Sequence, residues 1–259
     1  MSKPGSGASE GAADAWIAFG ATDLGLVRER NEDAFAVDQK IGCYLVADGL
    51  GGQPGGDVAS RLARDAVRAA LRRQRRALAA GEVEGVLEGA VRAAHRRILR
   101  TGRDDPALER MATTLSALWL GGAGRGCVAH VGDSRIYRLD RRGLVQLTDD
   151  HSMAMEMVRA GTITLEEAME SVAWDILTRT VGVADEVAID GFAVETAGAG
   201  AFLVCSDGLT GMVDDGEIAR LLRAHAPDPE AACAALIEAA LSGGGLDNVT
   251  VVVVYPRGK

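Results

Sequence analysis

Residues 44–52, Tyr-Leu-Val-Ala-Asp-Gly-Leu-Gly-Gly, constrain this chain more than any other stretch. The apolar run Cys43 to Ala47 reads as a buried strand. It ends on one carboxylate, Asp48, and Gly49, Gly51 and Gly52 follow within four residues. A turn without Cβ atoms lets backbone carbonyls approach a bound ion or phosphate closely. A single Asp-Gly after a strand is most often only a turn, so the weight falls on what the rest of the chain places beside it.

The 259 residues leave room for one large domain or two small ones, and 47% hydrophobic with 25% charged residues is ordinary for a globular core. A net charge of −9 speaks against nucleic acid as the main partner, because phosphate backbones want a basic surface. It suits a carboxylate-rich site neutralised by cations. Cys43, Cys127, Cys205 and Cys233 are far apart and show no zinc spacing. Three of them lie in apolar runs, as small core residues in a reducing cytoplasm would. Residues 1–14 are Gly/Ser/Ala-rich and read as a disordered tail rather than a signal peptide. No apolar stretch approaches the roughly 18 residues of a membrane span.

Residues 16 to 38 read as strand, polar loop and strand, with Arg28, Glu32 and Asp33 in the loop. Residues 57–79 and 82–100 carry helical periodicity. Seven arginines between Arg61 and Arg76 are expected to form a solvated helix face rather than an anionic docking face. Strands follow at 113–120, 125–131 and 136–139, with a hairpin turn at 121–124. Residues 151–185 hold two short helices and a loop, a candidate flap. Strands at 187–194 and 201–205, helices at 214–225 and 228–241, and a last strand at 249–255 complete the order. Runs of strands and paired helices, without βαβ alternation, predict an α+β layered fold with a largely antiparallel double sheet.

Asp48, Asp133 and Asp207 each follow an apolar strand, and Asp33 and Asp247 each precede one. Carboxylates at strand ends can converge on one rim. Clustered, they repel and resist ionisation unless cations sit among them. All-oxygen ligation favours Mg²⁺ or Mn²⁺, and one bridging carboxylate would hold two ions ~4 Å apart. Such a pair makes a nucleophile of water, and an arginine, Arg28 first of all, adds a fork for a phosphate dianion. Together they describe phosphoryl transfer to water.

Arg28-x-x-x-Glu32-Asp33, Val46-Ala47-Asp48-Gly49-x-Gly51-Gly52, Gly132-Asp133-Ser134-Arg135, Ser206-Asp207-Gly208-Leu209 and Asp247-Asn248 occur in this order. In this register they resemble the metal-dependent protein phosphatase family, the type 2C serine/threonine phosphatases, in their compact bacterial form. The resemblance spans about residues 16 to 255. It implies a four-layer α-β-β-α sandwich with a binuclear Mn²⁺ or Mg²⁺ site at one end of the sheets. It also implies hydrolysis of phosphoserine and phosphothreonine by direct attack of a metal-bridging hydroxide. By it, Asp48 would bridge both ions, Asp207 and Asp247 would complete one shell, and the Gly49 carbonyl would bind the other ion. Asp33 and Glu32 would hold metal-bound waters, Asp133 with Asp207 would form a third, weaker site, Arg28 would clamp phosphate, and Asn248 would support Asp247.

Two departures stand out. Animal members place a histidine after the Asp-Gly pair, where this chain has Leu50, so leaving-group protonation would fall to a metal-bound water. Members often carry His-Pro before the Leu-Thr-Arg segment, whereas here Glu170 to Asp175 contain none. His151 is expected to make a loop hydrogen bond, and Thr113, Thr114, Ser134 and Arg135 to be structural. The expectation is a single catalytic domain over residues 15–257, cytoplasmic, monomeric and bacterial, acting on phosphoproteins opposite a Ser/Thr kinase. The alternatives are a phosphatase dedicated to one phosphorylated regulator and a non-catalytic phosphoprotein binder.

Overall fold

The computed structural model describes residues 15–51, 55–121 and 124–257; the expected N-terminal tail, 1–14, lies outside the described residues. The first sheet contains β1 (Trp16–Asp23), β10 (Val249–Pro256), β9 (Ala201–Cys205), β6 (Arg135–Leu139) and β7 (Leu144–Gln146), hydrogen-bonded in that order. The second contains β2 (Ala34–Asp38), β3 (Cys43–Ala47), β4 (Leu115–Leu120), β5 (Arg125–Val131) and β8 (Asp190–Glu195). Every pairing is antiparallel.

The sheets pack face to face because side chains alternate along each strand. Tyr44 and Val46 of β3 meet Val252 and Val254 of β10 between the sheets, with Leu118, Ile136 and Phe202. The alternate set points outward. Leu45 and Ala47 face α1 (Gly56–Arg73) and α3 (Val83–Asp104), while Val251 and Val253 face α7 (Asp215–Ala224) and α8 (Pro229–Ser242). Both faces of the central strands are thus covered, which is why β3 and β10 read as unbroken apolar runs. The expected α-β-β-α sandwich is observed.

The helices follow their sequence signals. Ala59, Ala63, Ala66 and Ala70 give α1 a buried stripe of small residues against α3. Asp214 and Asp228 cap α7 and α8, the latter with Pro229 at its first position. In the flap, Ser152 caps α4 (Met153–Arg159), and Thr164 with Glu167 forms a capping box on α5 (Leu165–Met169). No helix among the described residues is long and apolar enough to cross a membrane.

The structure departs from the sequence reading in several places. The 57–79 helix ends at Gln74 and resumes as α2 (Arg75–Ala80). The 113–120 strand begins at Leu115, since Thr113 is spent on bridges to Gly49 and Val181. The 187–194 strand begins at Asp190. β7 is three residues long, too short for a periodicity signal, and a single helical turn, α6 (Asp207–Thr210), follows β9. β1 and β2 do not pair with each other, so the loop between them crosses from one sheet to the other.

The arginine row of α1 is not uniformly solvated. Asp38, buried at the end of β2, accepts from Arg72 Nε at 2.9 Å and lies 3.7 Å from Arg68 Nη2. These pairs pin α1 to the edge strand. Asp38→Ala is expected to lower stability by about 1.5–3 kcal/mol, the range for hydrogen bonds to charged groups. Arg64→Ala, whose partner is its exposed neighbour Asp65, is expected to change it by less than about 0.5 kcal/mol. Urea midpoints of the two variants check this, and equal losses would contradict the assignment.

Candidate active site

The antiparallel order brings the ends of β3, β5 and β9 and the starts of β2 and β10 to one rim. All five aspartates stand there. The Asp48 backbone is fixed from the two residues before β4: its N–H donates to Thr114 Oγ1 at 3.0 Å, and its carbonyl accepts from Thr113 Oγ1 and from Thr114 N–H, both at 2.8 Å. The hydroxyls of Thr114 and Ser134 lie 2.7 Å apart and tie this anchor to the turn that carries Asp133. The carboxylates of Asp48 and Asp207 stand within hydrogen-bonding reach of each other.

Asp33 comes from the crossing loop. Its Oδ2 accepts from Thr250 Oγ1 at 2.6 Å and Ser206 Oγ at 2.9 Å, both on the opposite sheet's strands or their ends. Its Oδ1 is buried without a partner, as is Asp207 Oδ1. Asp247 Oδ2 accepts from Arg28 Nη2 at 2.6 Å. Asn248 staples the crossing loop to β10: its Oδ1 accepts from Glu32 N–H at 2.8 Å, and its Nδ2 donates to the carbonyls of Leu24 and Arg30 at 2.9 and 3.0 Å. Glu32 lies against the start of α1, near Gly56 and Asp57.

Two glycines make these approaches possible. A Cβ on Gly49 would stand 2.3 Å from the Gly56 carbonyl oxygen and 2.6 Å from that of Glu32. A Cβ on Gly208 would stand 2.0 Å from the Asn248 carbonyl oxygen, so α6 could not lie on the Asp247–Asn248 turn.

Burial and mutual repulsion govern the electrostatics. Each of these carboxylates keeps a strip of surface at the mouth but is surrounded deeply by protein atoms. Desolvation pushes Asp33 up to about 7 against the hydrogen bonds from Thr250 and Ser206. It raises Asp48 well above the carboxylate range, with the charges of Asp33, Asp207 and Asp133 adding to it. Asp133 and Asp207 are raised as well, by burial first. Arg28 is held above its usual value chiefly by its hydrogen bond to Asp247.

This donor set fits a hard divalent cation. It offers oxygen alone, two of the buried oxygens have no protein partner, and the acids are destabilised by exactly the charge that a cation would neutralise. Among the described residues no three acidic, His or Cys side chains yet converge on one point. Asp247 is turned toward Arg28 instead.

On the far side, side chains of residues 151–185 border the rim. A cavity of about 320 Å³ is lined by Asp133, Arg135, Asp150, Trp174, Asp175 and Asp207. Arg135 does not reach Asp133; it forks onto Asp150, with Nε at 2.9 Å from Oδ1 and Nη2 at 2.6 Å from Oδ2. Trp174 packs on the flap's own small core and lies 6.0 Å from the Arg135 guanidinium. His151 holds the flap base: the Gly132 N–H donates to its Nδ1 at 3.0 Å, and its Nε2 faces Asp190 at 3.0 Å. A larger cavity, about 820 Å³, lies near Trp119 and Arg125, at the other end of the sheet from these aspartates.

Sequence reasoning missed Thr250 and the pairing of Ser206 with Asp33. Thr250 was visible as the one polar residue in Val249–Val254, but which carboxylate it serves depends on sheet contact. Asp150 and Asp190, which anchor Arg135, His151 and Arg179, had no signal beyond ordinary loop acids.

The Protein phosphatase 2C family model matches residues 27–236. The serine/threonine phosphatase stp of Listeria innocua is 37% identical over 236 residues, covering 90% of this chain and 93% of that protein. The serine/threonine protein phosphatase PstP of Mycobacterium tuberculosis is 38% identical over 232 residues, 90% of this chain and 43% of that longer protein. A crystal structure of the Mycobacterium tuberculosis phosphatase PstP/Ppp superposes with a TM-score of 0.83 at 37% identity, covering 93% of this chain and 98% of that one. The catalytic domain of PstP in complex with two manganese ions gives 0.81 at 36% identity over the same shares. The chain belongs to the protein phosphatase 2C family.

The raised carboxyls give the metal-free fold a pH dependence. Folded, they bind protons that the unfolded chain has released, so they stabilise at low pH and cease to do so as pH rises through their folded values. His95, His130 and His151 are lowered by burial and act with the opposite sign, but that contribution is largely complete above about pH 6.5. In chelator, the urea midpoint is therefore expected to fall between about pH 6.5 and 8, the span around Asp33 at about 7. Asp133→Asn is expected to flatten that fall. A midpoint that rises over this interval would contradict the carboxylate arrangement.

Proposed function

We propose that this chain hydrolyses phosphoserine and phosphothreonine in proteins, at the rim of Asp33, Asp48, Asp133, Asp207 and Asp247. The observation that carries the reading is a group of buried carboxylates with unpartnered oxygens, set beside an arginine free to leave its one acidic partner. Asp48, Asp207, Asp247 and the Gly49 carbonyl would hold two divalent cations, Mn²⁺ or Mg²⁺, and Asp133 with Asp207 a third, weaker one. When bound, such ions supply Lewis acidity toward phosphate oxygens and lower the pKa of a bound water from about 15.7 toward 7.

The protein's own groups do the positioning. Arg28 presents a planar fork to two phosphate oxygens, and its partial exposure leaves it accessible to a protein substrate. Asp33, with Oδ2 engaged by Thr250 and Ser206, keeps Oδ1 to orient a water or take its proton. Glu32 and Asn248 hold the crossing loop at the distance that lets Arg28 and Asp33 act together. In the reaction water attacks phosphorus, the P–O bond to the seryl or threonyl oxygen breaks, and that oxygen leaves with a proton from solvent. Residues 15–257 form one catalytic unit in this reading, monomeric and cytoplasmic, opposing a Ser/Thr kinase.

The test strips the protein with chelator, restores Mn²⁺ or Mg²⁺, and follows p-nitrophenyl phosphate and a phosphothreonine peptide. Turnover is expected only with metal. Asp207→Asn is expected to abolish it, and Arg28→Ala to lower kcat/KM by roughly 10²–10³, as for other charge-stabilising donors. A folded protein that binds the peptide without hydrolysing it under any metal would sink the reading.

A further inference from the structure

Exposed large apolar side chains are concentrated in residues 151–185 and in the loops that carry Arg28 and Asp247. Of the twelve large hydrophobic residues most exposed among those described, six lie in the flap and four, Leu24, Leu26, Val27 and Leu246, on the opposite side of the site. Those four form one ledge, because the crossing loop is laid on the turn before β10. Leu26 N–H donates to the Gly245 carbonyl at 2.7 Å, and Asn248 Nδ2 donates to the Leu24 carbonyl at 2.9 Å. Leu26, Val27 and Leu246 are 67%, 61% and 57% exposed. Val27 directly precedes Arg28 and Leu246 directly precedes Asp247, so both arms of the ledge are joined through the backbone to the Arg28–Asp247 pair.

We propose that this ledge receives a large apolar side chain of the phosphoprotein substrate, next to the phosphorylated residue. The proposal rests on the reading of the rim as a phosphoprotein phosphatase site and names a feature of its substrates. A chain advances ~3.3–3.6 Å per extended residue. With phosphate at Arg28, the side chain that reaches Val27 and Leu246 belongs to a residue within one to three positions. Aliphatic groups left in water beside a charged clamp gain by being covered when substrate binds. The ledge is too small to be a dimer interface by itself. Four side chains offer on the order of a few hundred Å², against roughly 800 Å² per partner in a stable interface.

The experiment compares two phosphothreonine peptides that differ only in carrying leucine or serine at the three positions on each side of the phosphothreonine, with p-nitrophenyl phosphate as a substrate too small to reach the ledge. The Mn²⁺-restored protein is expected to favour the leucine peptide by roughly fivefold or more in kcat/KM, carried by KM. The Val27→Ser/Leu246→Ser variant is expected to lose that preference and keep its turnover of p-nitrophenyl phosphate, and Leu246→Met to retain both. Equal use of the two peptides by the unaltered protein, with p-nitrophenyl phosphate hydrolysed, would overturn the ledge and leave the phosphatase reading intact. No hydrolysis of any of the three would overturn the phosphatase reading itself. Dimerisation on concentration, abolished by the double variant, would assign the ledge to a second copy and overturn the proposal.

Discussion

Repulsion among four buried carboxylates is the constraint on which the rest of the structure depends. Asp33, Asp48, Asp133 and Asp207 are crowded at one rim, and each is pushed toward its protonated form by burial and by the others. A chain left to minimise its own free energy would spread them apart. Apart from the Thr250 and Ser206 hydroxyls on the Asp33 carboxylate, they are kept together by interactions that hold backbone: the two threonines on Asp48, the Asn248 staple, and glycines where any side chain would collide. The scaffold is rigid where the charges are least comfortable, which is the arrangement a cation site requires.

The two sheets divide the work. The sheet of β2 to β5 and β8 supplies Asp33, Asp48 and Asp133, and the other supplies Asp207 and Asp247. Neither sheet holds a complete rim. The contact between sheets, built from Tyr44, Val46, Phe202 and Val252, therefore sets the separation between the two sets of acids. Asp33 shows this most directly, because its hydrogen bonds run to Ser206 and Thr250 across that divide.

Much of this was legible before any coordinates. Long apolar strands and amphipathic helices marked themselves by period, and aspartates at strand ends marked the rim. Short or unpatterned pieces did not: β7 has three residues, and the break at Gln74 interrupts an otherwise continuous helical pattern. Contacts between distant residues were invisible for a physical reason. Asp38 with Arg68 and Arg72, or Asp150 with Arg135, are ordinary surface charges in sequence, and only folding decides which acid a given arginine meets. The arginine row looked wholly solvated because periodicity reports which face is polar, not what lies opposite it.

The staple at Asn248 and the pairing of β1 with β10 join the start of the described chain to its end. Thr22 and Thr250 touch across 228 positions. During synthesis, then, the helices, the flap and one whole sheet can form while Asp247, Asn248 and β10 are still to be made. A ribosome-bound chain would lack Asp247, the loop clamp and a strand paired on both sides until residues 247–256 emerge. The same holds for products truncated before β10. The rim would thus close only once β10 is made, and chains stopped before it would hold an incomplete set of acids on an unclamped loop.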